Sequence, residues 1–117
     1  MAEKEARQWV DRYVRAWNSN DRKDIEELFT NDARYYTEPH AQAWQGHDEI
    51  VEKWLERKDA PGETSFTYRV IAVEGDLAIV KGEAIYKEPR KVYSNLWEIR
   101  FASDGRVREF VEWWMEQ

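Results

Sequence analysis

The sequence YSNLWEIRFASDGRVREFVEWWM, which spans residues 93 to 115, decides the fold. Two runs rich in aromatic and β-branched residues flank Ser103-Asp104-Gly105. Asp-Gly between two such runs is a strong signal for a tight turn. The stretch is therefore predicted to form a hairpin of two long antiparallel strands.

Side chains alternate between the two faces of a strand, so each half of this hairpin sorts into two sets. One face is bulky and aromatic, yet it contains one amide and one carboxylate. An apolar surface with a few polar groups set into it is what a small-molecule pocket requires. This face holds Tyr93, Asn95, Trp97, Ile99, Phe101, Phe110, Glu112 and Trp114. The opposite face holds Ser94, Leu96, Glu98, Arg100, Glu109, Val111, Trp113 and Met115.

The composition is that of a single globular domain. A chain of 117 residues is long enough to bury a core without disulfides or a structural metal. No run approaches the roughly 18 apolar residues of a membrane span, and the polar first residues do not indicate a signal peptide. The chain has no cysteine, which excludes disulfide and thiolate chemistry and leads us to expect a cytoplasmic protein.

Charge and motif content exclude several classes of function. The net charge is −6 and the basic residues are scattered, so we expect neither a nucleic acid nor a membrane partner. His40 and His47 lack the spacing to acidic residues that a metal site needs. No nucleophile elbow, phosphate-binding glycine loop or dinucleotide fingerprint is present. We therefore expect no metal and no cofactor.

The segments before the hairpin predict an α+β layout, because three helical patterns with one short strand precede four long strands. The predicted helices cover residues 4–18, 22–29 and from 47 or 48 to 57 or 58. The predicted strands before the hairpin cover residues 33–38, 64–74 and 77–87, with a loop over 40–46. Helices of such folds pack on one face of the sheet, and long antiparallel strands twist and coil. A strongly curved sheet wrapped by three helices encloses a cone-shaped cavity.

Motifs in both halves of the chain carry a family resemblance. They include residues 11–18 (DRYVRAWN), Leu28-Phe29, Asp32-Ala33, Glu38-Pro39, residues 97–101 (WEIRF) and Asp104-Gly105-Arg106. This pattern resembles the SnoaL-like, nuclear transport factor 2-like superfamily, which includes ketosteroid isomerase and polyketide cyclases. The resemblance covers nearly the whole chain. It implies one domain over residues 1–117 with the cone-shaped, cystatin-like fold and a pocket.

The resemblance also implies catalytic residues. In the isomerase branch, a tyrosine on the first helix donates to an oxyanion, a carboxylate before a proline moves a proton, and a protonated acid assists. By similarity, Tyr13 matches the tyrosine, and Glu38, before Pro39, matches the proton carrier. The position of the protonated acid holds Trp97, which donates one weaker hydrogen bond and cannot titrate. Glu112 is a further candidate from the strand alternation, so the catalytic candidates are Glu38, Glu112 and Tyr13.

The candidate substrate-binding residues are mostly aromatic, a type that serves either as core or as a ligand platform. Tyr35 and Tyr36 point to opposite faces of their strand, so at most one lines the pocket, and we assign Tyr36. Trp9 and Trp113 fit an edge or a dimer contact better. The full set is Trp17, Tyr36, Trp44, Trp54, Asn95, Trp97, Phe110 and Trp114.

Three hypotheses for the function stay open. The first is a cofactor-independent isomerase, cyclase or hydrolase in which Glu38 or Glu112 moves a proton on a small apolar or aromatic molecule. The second is a binding protein with the same pocket and no chemistry. The third is a scaffold protein whose own tryptophans fill the cavity. The outer face of the hairpin, with Leu96, Val111 and Trp113, predicts a homodimer because it would otherwise expose apolar area.

Overall fold

The structure is a computed structural model that describes residues 2–117. Within this range, three helices and six strands form. The helices are α1 (Glu3–Ser19), α2 (Arg22–Glu26) and α3 (Gly46–Glu56). The strands are β1 (Phe29–Tyr36), β2 (Trp44–Gln45), β3 (Thr64–Glu74), β4 (Leu77–Tyr86), β5 (Lys91–Phe101) and β6 (Val107–Glu116). No helix among the described residues is long and apolar enough to cross a bilayer.

The strands form one curved, open sheet in the order β2-β1-β6-β5-β4-β3. Neighbours are antiparallel except for β1 and β6, which run parallel. The predicted α+β fold is therefore confirmed. The hairpin of β5 and β6 lies in the middle of the sheet, where the helices can cover one of its faces.

The register of this hairpin places the predicted aromatic face on the inside. Asn95 pairs with Trp114, and Trp97 pairs with Glu112, so their side chains share one face. Gly105 in the turn has a φ of +88°, a left-handed conformation that glycine adopts without steric cost. The pairing of β5 with β6 shifts by one residue near the turn, since Arg100 pairs with Glu109 and Phe101 with Val107. Beyond this β-bulge, alternation places the Glu112 carboxylate beside the Trp97 indole, on the face predicted for both.

The core lies between the inner face of the sheet and the buried stripes of α1 and α3. Trp9 is fully buried there, and its indole N–H donates to the backbone oxygen of Leu28 at 3.0 Å. Its expected place at an edge or dimer contact is therefore wrong. The ring packs against Phe29, Phe101 and Phe110 of the sheet, so a residue near the chain start closes the base of the core.

The bounds of the elements around β1 differ from the prediction. α2 ends at Glu26 rather than near residue 29, because Phe29 leaves the helix and opens β1 beside Val107 of β6. β1 ends at Tyr36, so Glu38 lies in the turn that follows the strand. The segment expected to be a loop contains β2, in which Trp44 pairs with Tyr35. Pairing with strands distant in sequence, rather than local pattern, sets these limits.

Candidate functional site

A cavity of about 550 Å³ opens between the inner face of β4, β5 and β6 and the ends of α1 and α3. Nine of its twenty lining residues are aromatic, so its walls are chiefly rings with a few polar groups among them. This volume is that of a site for a small molecule. Among residues 2–117, no group of three or more His, Asp or Glu side chains is arranged to hold a metal ion.

Glu112 is the carboxylate on the floor of this cavity. The Asn95 amide donates to Glu112 Oε2 at 2.6 Å, and the Trp97 indole N–H donates to the same oxygen at 2.8 Å. Within the described chain, no basic nitrogen lies within 4.0 Å of the carboxylate. Burial raises the pKa of Glu112, and the two donated bonds offset part of that rise.

The two oxygens of Glu112 differ in their surroundings. Oε2 receives both hydrogen bonds, whereas Oε1 accepts none from residues 2–117 and is not closed off from solvent. In this arrangement the Oδ1 of Asn95 is buried and accepts no hydrogen bond from residues 2–117. An orphaned acceptor costs free energy, so the amide is oriented by the carboxylate. Oε1 is left as the oxygen that can reach a ligand.

Two tyrosine hydroxyls face the same cavity. Tyr13 of α1 and Tyr35 of β1 lie 2.6 Å apart, oxygen to oxygen. Burial raises the pKa of both hydroxyls, and the charge of Glu112 contributes to the rise in each. Both therefore stay protonated near neutral pH. One hydroxyl proton is used within the pair, so the other is free to donate to an oxygen of a ligand.

Stacked rings hold the walls in place. Tyr35 lies between Trp44 and Phe110, with ring centroids 4.7 Å away on each side. Trp97 stacks on Phe66 at 4.7 Å. Gly82 makes that stack possible, because a Cβ at this position would lie only 2.3 Å from the Phe66 ring. The indole that donates to Glu112 is thus fixed by packing on Phe66 of β3, across the intervening strand β4.

Most of the predicted site residues lie around the cavity, and two do not. Tyr36 is absent from the lining, and Tyr35 takes the place assigned to it, because the end of β1 turns Ala33 and Tyr35 inward. Phe110 is fully buried in the core and does not line the cavity. The predicted residues that do line it are Tyr13, Trp17, Glu38, Trp44, Trp54, Asn95, Trp97, Glu112 and Trp114.

Glu38 and Glu112 occupy different environments. The Glu38 side chain is 44% exposed, and its nearest ionic neighbour is the exposed imidazole of His40, 3.6 Å away. Glu38 lies at the rim, where an outer groove lined by Trp113 and Met115 meets the cavity. Of the two predicted carboxylates, only Glu112 is fixed by neutral hydrogen-bond donors inside the cavity.

Several lining residues were not predicted. Asp59 accepts the Trp17 indole N–H at 2.8 Å, and the Arg57 guanidinium lies over the Trp44 ring, 5.6 Å from its centroid. These residues follow α3, in a stretch whose pattern indicates only a helix end and a loop. Tyr93 could have been found, because strand alternation places it on the same face as Asn95. The other unpredicted members are Tyr35, Thr37, Lys58, Ala84, Tyr86, Glu88, Pro89 and Lys91.

Comparison with protein families gives one decisive match: residues 10–110 match the model of the SnoaL-like domain. The chain belongs to the SnoaL-like family. This confirms the resemblance read from residues 11–18 and the β5–β6 hairpin. No curated protein sequence matches the chain.

Solved structures show the same fold for this SnoaL-like domain. SalBIII, an epoxide hydrolase/cyclase-like enzyme with a role in pyran ring formation in the polyether salinomycin, is 17% identical with a TM-score of 0.79, over 97% of this chain and 92% of that one. A proposed ketosteroid isomerase from Kribbella flavida is 19% identical with a TM-score of 0.74, over 98% and 81%. A cystatin-like protein of unknown function from Methylobium petroleophilum is 18% identical with a TM-score of 0.75, over 100% and 80%.

Proposed function

We propose that this SnoaL-like domain is a cofactor-independent enzyme in which Glu112 moves a proton on a small apolar or aromatic molecule. The observation that carries the proposal is the position of Glu112. Its carboxylate lies in an aromatic cavity, bound by two neutral donors and without a basic group within 4.0 Å among residues 2–117. A carboxylate in such surroundings has a pKa closer to neutral pH, where acid–base catalysis is most effective.

Each polar group of the cavity has a role in this proposal. Oε1 of Glu112 takes a proton from a carbon or an oxygen of the substrate and returns it at another position. The free hydroxyl proton of the Tyr13–Tyr35 pair donates to the substrate oxygen on which negative charge develops. Asn95 and Trp97 are positioning residues that hold the carboxylate. Isomerisation, cyclisation and the hydration of a strained bond all fit this set of groups.

A non-catalytic binding protein is the second candidate. It is favoured by the two hydrogen bonds on Oε2, since donors to a carboxylate stabilise its charged form and suit a group that only orients a ligand. The scaffold hypothesis has less support. Trp54 and Trp97 are buried, but they leave the cavity of about 550 Å³ open beside them.

A base-catalysed probe reaction tests the proposal without knowledge of the natural substrate. In 5-nitrobenzisoxazole, a base removes the proton on C3, the N–O bond breaks, and a coloured nitrile phenolate is released. We expect the wild-type protein to turn this probe over and Glu112→Gln to lose on the order of 100-fold or more in rate, the scale of a positioned general base. Glu52→Gln, which removes one charge from an exposed residue of α3 outside the cavity lining, serves as the control and should change the rate less than about threefold.

Other outcomes identify the alternatives. A rate that falls in Glu38→Gln and not in Glu112→Gln would assign the proton transfer to the rim carboxylate. Binding of the probe without any turnover above that of free carboxylate would contradict catalysis and leave the binding protein.

A further inference from the structure

The charges that line the cavity do not balance. Four carboxylates, those of Glu38, Asp59, Glu88 and Glu112, face it together with three basic side chains, those of Arg57, Lys58 and Lys91. All three basic residues and Glu88 are exposed. Glu112 instead lies on the floor, with no basic nitrogen of residues 2–117 within 4.0 Å of its carboxylate. One negative charge is therefore left without a counter-ion where water is scarce.

The walls around that charge suit a cation. The negative face of an aromatic ring attracts a cation held within about 6 Å of its centroid. The chain already uses this interaction at the opening, where Arg57 lies over Trp44 at 5.6 Å. Stacked rings cover faces of Tyr35 and Trp97. Tyr86, Tyr93 and Trp114 also line the cavity, and they meet one another only edge to face.

We infer that the natural ligand carries a cationic nitrogen, as an ammonium or quaternary ammonium group on an apolar body, and that this nitrogen pairs with Glu112. The inference rests on the proposed role of the cavity as the ligand site. It does not depend on whether Glu112 also moves a proton.

Electrostatics predicts how the affinity of the cavity should depend on the charge of the ligand. A neutral ligand removes the remaining water from Glu112 and supplies no counter-charge, and a buried charge without a partner is costly. An anion adds repulsion at short range. A cation restores neutrality and also favours the charged form of Glu112, so that the carboxylate stays available as a base. The expected order of affinity is cation, then neutral molecule, then anion.

Three probes of nearly equal shape test this order: phenyltrimethylammonium, tert-butylbenzene and benzenesulfonate. The indole N–H resonance of Trp97 reports binding directly, since that proton is bonded to Glu112. At a pH of about 8, where ordinary carboxyls are charged, we expect phenyltrimethylammonium to bind about tenfold or more tightly than tert-butylbenzene. Benzenesulfonate should bind most weakly.

Variants separate the effect of Glu112 from general electrostatics. Glu112→Gln keeps the shape and an acceptor for Asn95 and Trp97, and should lower the affinity for phenyltrimethylammonium about tenfold. The affinity for tert-butylbenzene should stay the same or rise, because the neutral probe no longer removes water from a charge. Glu52→Gln removes the same charge from an exposed position of α3 outside the cavity lining and should leave the preference for the cation within about threefold of the wild type.

The results also separate this inference from the proposed function. Equal binding of cation and neutral probe, or a cation preference that survives in Glu112→Gln, overturns the inference. If the inference is overturned but Glu112-dependent turnover of 5-nitrobenzisoxazole is observed, the proposed function is retained without the cationic ligand. A cation preference without turnover supports the inference and contradicts the catalytic proposal. Failure of all three probes to bind overturns the inference and also the view of the cavity as a ligand site.

Discussion

The two faces of the β5–β6 hairpin carry the same chemical pair in opposite environments. On the inner face, the indole of Trp97 donates to Glu112; on the outer face, the indole of Trp113 donates to Glu98. Each pair joins residues 15 apart in the sequence. Trp97 is 1% exposed and Trp113 is 47% exposed. Burial, not the identity of the partners, distinguishes the pairs.

The difference shows which of the two tryptophan–glutamate pairs can become functional. Outside, water competes for the hydrogen bond and screens the charge, so such a pair adds little to stability. Inside, the same bond is made where the carboxylate has lost water, and its pKa rises in response. The inner pair can therefore respond to a ligand or a proton in a way that the outer pair cannot.

Truncation of Trp97 and of Trp113 to alanine should give the largest contrast between the two faces, measured as the free energy of unfolding. We expect Trp97→Ala to lower the free energy of unfolding by about 3–5 kcal/mol, because it removes a buried ring that stacks on Phe66 and leaves a void. Trp113→Ala should cost less than about 1 kcal/mol. Urea unfolding at several protein concentrations measures both and separates any contribution from association. Equal losses in the two variants would contradict the assigned burial.

The sequence predicted the inner face of the hairpin because side chains alternate between the two faces within each strand. The Asp-Gly turn joins the two strands, and alternation groups Asn95 with Trp97 on β5 and Glu112 with Trp114 on β6. The turn does not set the register alone, because a β-bulge shifts the pairing between Arg100 and Phe101. The fold followed from the order of helices and strands together with the family resemblance.

Pairing between distant segments explains the errors. β1 begins at Phe29 and runs parallel to β6, so Tyr35 rather than Tyr36 faces the cavity. Nothing in the local pattern distinguishes the two tyrosines. Phe110 shares a face with Glu112, but it lies further along β6, where the rings of Trp9, Tyr13 and Tyr35 cover it. Alternation gives the face of a side chain and not its depth.

We propose that the outer face pairs two copies of this chain. Trp113 and Met115 are 47% and 71% exposed on it. Lys81 and Glu98 lie near them on the same face, and neither forms an ion pair within residues 2–117. A two-fold axis would bring the lysine of one copy to the glutamate of the other, so the patch is self-complementary.

The Trp113→Asp substitution tests this surface, and its expected effect is intermediate in size. We expect it to weaken dimerisation by about 2 kcal/mol or more, roughly thirtyfold, as for a central aromatic residue of an interface. Sedimentation velocity over a range of concentrations measures the dissociation. Ile71→Asp changes an exposed apolar residue on β3 and should leave the dimer intact. A wild-type protein that stays monomeric at high concentration excludes the proposed pairing.

The smallest expected effect is a pH dependence of stability that only the inner pair shows. Burial raises the pKa of Glu112 in the folded state, so the folded protein binds this proton more tightly than the unfolded chain. The contribution to stability is full below the ordinary carboxyl pKa of about 4.3. This contribution is lost as the pH rises through the pKa that Glu112 has in the folded protein. Above that pH, Glu112 is charged in both states and its effect on the free energy of unfolding no longer changes.

Comparison of Glu112→Gln with the wild type isolates this contribution. The variant should gain stability relative to the wild type as the pH rises from about 4, and the gain should level off once Glu112 is charged in the folded state. Glu98→Gln removes the matched carboxylate of the outer face and controls for the loss of one negative charge. Trp97→Phe removes a donor that favours the charged carboxylate, so in that background the levelling-off should move to higher pH. A flat difference between Glu112→Gln and the wild type, or one of opposite sign, would mean that hydrogen bonding and not burial dominates the energetics of the inner carboxylate.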